Sequence, residues 1–144
     1  MAKVSALVDT DVFIDYFNTG RFSSVFDSSQ FTVYYSIVTK KELLTKLGLR
    51  EAERKAIVAE LSRCRLINLS DSITARYSNL RRQHPSLDKA DALIAATALA
   101  TRLPLITRNT RHFRIVKDLA LFGGSFQGAI SIHRRLWDLR GARG

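Results

Sequence analysis

Short apolar runs of strand length alternate along this chain with longer stretches patterned for helices. That alternation restricts the fold more than any other feature of the sequence. Val4 to Val8 is an apolar run ending at Asp9, and Val12 to Phe17 reads as a brief helix stopped by Asn18-Thr19-Gly20. Phe31 to Tyr35 is aromatic and β-branched, as strands are. Helices are expected from Thr39 to Leu47 and from Glu51 to Cys64, the second with Ile57, Val58 and Leu61 facing inward. Leu66 to Leu69 reads as a strand, and Asp71 caps a helix that runs to Gln83 before His84-Pro85. Asp88 opens an alanine-rich helix to Thr101, apolar nearly all round and so expected at the centre of the molecule. Leu103 to Ile106 is a further strand, and Leu119 to Phe122 a last candidate. Such alternation predicts an α/β fold, a mostly parallel sheet flanked by helices. Sites in sheets of that kind lie beyond the carboxyl ends of the strands, which singles out Asp9 and Asn109.

Composition excludes several classes. With 144 residues the chain suits one domain, since domains cluster at roughly 100–150 residues. A hydrophobic share of 46% is too high for a disordered polycation. One cysteine, Cys64, allows neither a disulfide framework nor a cysteine zinc site, and fits a reducing, cytoplasmic setting. No apolar run approaches the ~18 residues of a membrane span, and MAKVSALVDT does not read as a signal peptide. The formal net charge is +10, unevenly spread. Residues 1–72 hold ten Lys and Arg against nine Asp and Glu, whereas residues 73–144 hold thirteen against four, eleven of the thirteen being arginine. Arginine suits bidentate phosphate contacts, so a polyanionic partner is one reading and a merely soluble basic surface the other.

Against that background the few acids stand out. Asp9 follows the first strand, Glu42 lies early in the third helix, and Asp91 lies in the first turn of the alanine-rich helix. Each also has a local explanation. Thr39-Lys40-Lys41-Glu42 fits a capping box, Asp91 sits three residues beyond the N-cap Asp88, and Asp9 suits a turn. Taken together they point elsewhere, because helix starts that follow parallel strands share one rim. Two carboxylates ~5 Å apart repel by roughly 3 kcal/mol at an effective dielectric of ~20. A bound cation relieves that repulsion, and oxygen-only ligands suit Mg²⁺ or Mn²⁺. Acids for an ion beside arginines for a strand is the layout of a metal nuclease.

Four segments carry a family resemblance: LVDTDVFIDYF at 7–17, TKKELL at 39–44, DALIAATAL at 91–99 and LITRNTRHF at 105–113. In order and spacing they resemble PIN-domain ribonucleases, and more narrowly the VapC toxins of toxin–antitoxin pairs. The resemblance implies a three-layer α/β/α PIN-like nuclease domain over residues 1–122. Residues 123–144, with five glycines and a basic end, are left as a C-terminal extension. It also implies a homodimer, Mg²⁺- or Mn²⁺-dependent RNA cleavage, and inhibition by a VapB-like antitoxin. Carried over by position, Asp9, Glu42 and Asp91 are metal ligands, and Asn109 is a fourth catalytic position where some members have Asp and many toxins have Asn. Thr10 and Thr107 are hydroxyls beside the site. Asp11, where the family often has Asn, is an orienting neighbour. Hydrolysis by water in place of the ribose 2′-hydroxyl would leave a 5′-phosphate and a 3′-hydroxyl.

Arg108, Arg111 and Arg114 are candidates for holding the RNA backbone, with a solvated face of a short helix as the alternative. Arg81 and Arg82 are weaker ones. Asp15 and Asp88 read as caps or surface acids. His84, His112 and His133 have no metal-ligand spacing and are set aside. Cys64 lies between Arg63 and Arg65, which would lower its pKa, but a half-buried thiol at a helix end is the favoured reading. Two rival readings remain: a PIN-like module that binds RNA or protein without cutting, and, from Asp9-Thr10-Asp11-Val12, a haloacid-dehalogenase-like phosphatase. The latter needs a later lysine and a paired-acid motif. A dinucleotide fold lacks its glycine signature here.

Overall fold

The computed structural model describes residues 3–122; the segment 123–144 lies outside them. Four strands form one sheet in the order β3-β2-β1-β4: β1 Val4–Val8, β2 Phe31–Ser36, β3 Arg65–Ile67 and β4 Leu105–Ile106. All three pairings are parallel, with Leu7 opposite Tyr34 on one side and Leu105 on the other. β1 is central and apolar on both faces. Ala6 and Val8 point into one hydrophobic cluster and Leu7 into another, as the two-residue strand period requires.

Helices cover both faces. α1 Thr10–Thr19, α2 Ser23–Phe26, α3 Ile37–Leu44 and α4 Glu51–Ser62 contribute to the cluster containing Ala6 and Val8. Phe13, fully buried there, lies 4.9 Å from Phe26 between ring centroids. α5 Asp71–Gln83, α6 Lys89–Thr101 and α7 Thr110–Phe113 contribute to the opposite cluster. The three-layer α/β/α architecture is therefore as expected. α6 buries Ala92, Ile94, Ala95, Ala96 and Ala98, so its apolar girth is used as core.

Element boundaries differ where a cap was misjudged. α1 starts at Thr10, two residues before the expected Val12, because Asp9 caps it; it ends at Gly20, left-handed at φ 77°. α3 starts at Ile37 because the Ser36 side chain accepts from Thr39 N–H, which displaces Thr39 as the expected start. Ser70, not Asp71, caps α5 in the same way. Asp88 does cap α6, accepting from Ala90 N–H at 3.1 Å. Leu119 to Phe122 makes a single parallel bridge, Leu105 to Leu121, and no strand, since β4 offers only two residues to pair with. No helix among the described residues is long and apolar enough to cross a membrane.

Candidate active site

The chain runs from β1 to α1 and β2 on one side, while β4 joins β1 on the other. A crevice thus opens beyond the carboxyl ends of β1 and β4, where strand order reverses. Asp9 leaves β1 at its floor, fully buried. Its Oδ1 accepts the Thr10 backbone N–H at 2.8 Å, and its Oδ2 accepts the Thr107 hydroxyl at 2.9 Å. Asp9 does bond its own turn, but the second bond reaches across the sheet to the residue following β4.

Glu42 is not the end of a capping box. It stands on the second turn of α3, and its Oε1 accepts the Thr10 hydroxyl at 2.8 Å. A hydroxyl has one proton, so Thr10, spending its own on Glu42, must accept from Thr39 across their 2.8 Å contact. Thr39 in turn accepts from the Ser36 hydroxyl at 3.5 Å, a long contact. Ser36, Thr39 and Thr10 are all buried, so this directed chain fixes one carboxylate oxygen of Glu42 from beneath.

Asp91 sits in the first turn of α6, 5% exposed, with Oδ2 3.6 Å from His112 Nδ1. That separation suits an ion pair when the imidazole is protonated and is too long for a hydrogen bond. His112, without metal-ligand spacing in the sequence, nevertheless lines the cleft. The available signal was its place three residues after Asn109, on the short helix following a strand. Asn109 precedes α7 and donates from Nδ2 to Asp11 Oδ2 at 2.5 Å.

These groups surround a cleft of about 660 Å³, walled by the acids Asp11, Glu42, Asp88 and Asp91, by Asn109, Arg111, His112 and Ser86, and by the apolar Leu87 and Ile115. Asp88 thus faces the cleft as well as capping α6. Asp9 lies below the wall and is not part of it. Among the described residues no three His, Cys, Asp or Glu side chains form a group that could hold a metal ion unaided. A second hollow of about 430 Å³ adjoins the cleft, lined by Arg108, Asn109, Thr110, Arg111, His112 and Arg114. Asn109, Arg111 and His112 line both hollows, so the acidic cleft and the arginine-lined hollow share one wall.

Two other expectations change. Asp15 is neither a cap nor a surface acid. It is buried on α1, with Arg21 and Arg108 at 3.6 and 3.7 Å from its Oδ2. Arg81 donates to the Leu87 carbonyl and Arg82 to the Asn79 side chain, which gives both arginines local work.

Residues 6–119 match the model of the PIN domain. The chain belongs to the PIN-domain family. Among PIN relatives, Ribonuclease VapC1 of Methanocaldococcus jannaschii is 31% identical over 120 residues, 80% of this chain and 83% of that one. A toxin–antitoxin complex from Klebsiella pneumoniae matches with a TM-score of 0.67 and 31% identity, covering 80% of this chain and 95% of the other. VapBC2 from Rickettsia felis, solved bound to a promoter DNA fragment, gives a TM-score of 0.73 at 22% identity over 83% and 98% of the two chains. At that identity the last likeness speaks for the fold alone. Within the PIN family this chain is of the VapC type. A phosphatase reading fails on the sequence after β4, where Thr107-Arg108-Asn109 stands in place of an acid pair.

Proposed function

We propose that this chain is a Mg²⁺- or Mn²⁺-dependent endoribonuclease, the toxin of a type II toxin–antitoxin pair, working as a homodimer and restrained by a VapB-like antitoxin. The observation that carries this reading is the acidic cleft standing beside an arginine-lined hollow, with Asn109, Arg111 and His112 lining both. The names of the relatives support it: one is called a ribonuclease, another a toxin–antitoxin complex.

The donor chemistry fits the ion. Asp9, Glu42 and Asp91 offer carboxylate oxygens and Asn109 an amide carbonyl, hard donors suited to Mg²⁺ or Mn²⁺. Both oxygens of Asp9 are oriented by hydrogen bonds, from the Thr10 N–H and the Thr107 hydroxyl. Mg²⁺ commonly takes one or two carboxylates and completes its shell with water and substrate phosphate. Asp9 and Asp91 would hold it, directly or through water, with Glu42 completing the set or acting as base. When bound, such an ion acidifies water and shields charge on a phosphoryl group.

The protein's own part is orientation. Thr107 and the Thr10 N–H hold the Asp9 carboxylate, and the Ser36-Thr39-Thr10 chain holds Glu42, which is placed to take a proton from the attacking water. Arg108, Arg111 and Arg114 hold backbone phosphates of the strand. Attack by water leaves a 5′-phosphate and a 3′-hydroxyl. The same basic surface would attract an acidic segment of the antitoxin.

The test is cleavage of RNA by the purified protein with Mn²⁺ or Mg²⁺, its arrest by chelator, and its loss in Asp9→Ala and Asp91→Ala. Parental cleavage in both variants would overturn the site. RNA binding without cleavage in any metal would favour the non-catalytic module.

A further inference from the structure

Arg21 and Arg108, far apart in the chain, flank a single carboxylate. Asp15 lies within α1, 8% exposed, and its Oδ2 is buried without accepting a hydrogen bond. Arg21 Nη1 stands 3.6 Å from that oxygen and Arg108 Nε 3.7 Å, too far for hydrogen bonds but near enough for ion pairing. Taking a carboxylate out of water is costly unless a cation answers it, and a single arginine can supply that. Two leave a surplus of positive charge, on side chains that are 39% and 44% exposed.

Both arginines are delivered by fixed backbone. Gly20, left-handed at φ 77°, turns the chain at the end of α1. The Thr19 hydroxyl donates to the Asp15 carbonyl at 2.8 Å and accepts the Arg21 N–H at 3.2 Å, which folds Arg21 back toward its own helix. Arg108 stands between Thr107, bonded to Asp9, and Asn109, whose N–H is held by Thr107. Pairing through Nε leaves Arg108 its two terminal NH₂ groups, the edge that grips a phosphate bidentately, and the residue lines the basic hollow.

We infer that Asp15 is a positioning residue that sets Arg21 and Arg108 as one seat for a backbone phosphate of single-stranded RNA. Arg21, which does not line the basic hollow, thereby extends the strand's path from α7 across the end of α1. This rests on the RNA reading above but not on its cation.

The test is binding of a fluorescent oligouridylate followed by anisotropy, in chelator so that nothing is cut, over a range of salt. Arg21→Gln should flatten the slope of log affinity against log salt by about 0.7. Asp15→Asn decides the positioning role by its sign. Removing an anion would by charge alone tighten RNA binding, whereas releasing both arginines weakens it and flattens the slope by up to about 1.4. Asp15→Glu keeps the charge and moves it by one methylene, so it too should bind more weakly, and it carries the test if Asp15→Asn fails to melt cooperatively. An unchanged slope in Arg21→Gln overturns the seat. Binding as tight as the parent's in folded Asp15→Asn or, failing that, in Asp15→Glu overturns the positioning role and leaves Asp15 a staple of the fold. A parent that binds no RNA even at low salt removes the RNA reading and this inference with it, an outcome distinct from the other two.

Discussion

Thr107 donates its hydroxyl to Asp9 Oδ2 at 2.9 Å and so ties the residues that follow β4 and β1 to each other. Thr107 Oγ1 also accepts the Asn109 backbone N–H at 3.0 Å, so one small side chain orders both a buried carboxylate and the turn into α7. Thr107→Val keeps the shape and removes both bonds. It is expected to cost about 1–3 kcal/mol of stability, measured by urea denaturation, and to lower RNA cleavage. Thr107→Ser should retain most of each.

Glu42 depends on the hydroxyl chain beneath it. Thr39 is fully buried, and Thr39→Val removes the donor that leaves Thr10 free to bond Glu42. A loss of about 1–3 kcal/mol is expected, since Thr10 and Ser36 each lose a partner in the interior. Cleavage should fall with it, while Thr45→Val, an exposed hydroxyl on the same helix's end bonded only to the Lys41 carbonyl, should leave cleavage unchanged.

Burial, helped by the nearby Glu60 charge, pushes the Cys64 thiol up to about 12, and Arg63 only partly opposes this. Of the two readings the sequence allows, the half-buried thiol at a helix end is the one the structure has. At pH 8 a thiol so raised is almost wholly protonated. Modification by a disulfide reagent should run more than about tenfold slower in the folded protein than in denaturant. A rate equal to that of the unfolded chain would contradict this environment.

Glu60 is held above the ordinary carboxylate range, by burial first, with Asp27 adding and Arg63 opposing. Between its unfolded and folded pKa the folded state binds more protons, so this group's contribution makes stability fall as pH rises through that window. Glu60→Gln removes the dependence. Its melting temperature should gain on the parent as pH is raised from about 4 to 7, and the gap should close again on acidification.

The three arginines around α7 are distinguishable from a solvated face by salt. Each phosphate contact to a single strand contributes a slope of about −0.7 in log affinity against log salt. Arg108→Gln, Arg111→Gln and Arg114→Gln together should flatten the slope for RNA binding by about 2. An unchanged slope would return these residues to the solvent.

Much of the architecture was legible because it is written in short-range pattern. Apolar runs from Val4 and Phe31 and the alanine-rich stretch after Asp88 each declare their element within a few residues, and alternation then demands a parallel sheet. Helix starts were less legible: Thr39 reads as a cap, and only the backbone path shows that Ser36 is the one. The site was legible as a set of acids at strand ends, but not as a geometry.

By itself the sequence determined an α/β chain with Asp9, Glu42, Asp91 and Asn109 near one end of its sheet, beside an arginine-rich half. Only the tertiary structure decided that Asp9 lies under the cleft wall, that Glu42 answers to Thr10 and not to its own helix start, and that His112 reaches Asp91. It also decided that Asp15 is buried between two arginines and that Asn109 bonds Asp11. The physical reason is range. Caps and periodicity act over three or four residues, whereas most of these contacts join segments that only the pairing of β1 with β4, the packing of α1 against α3 and that of α6 against α7 bring together.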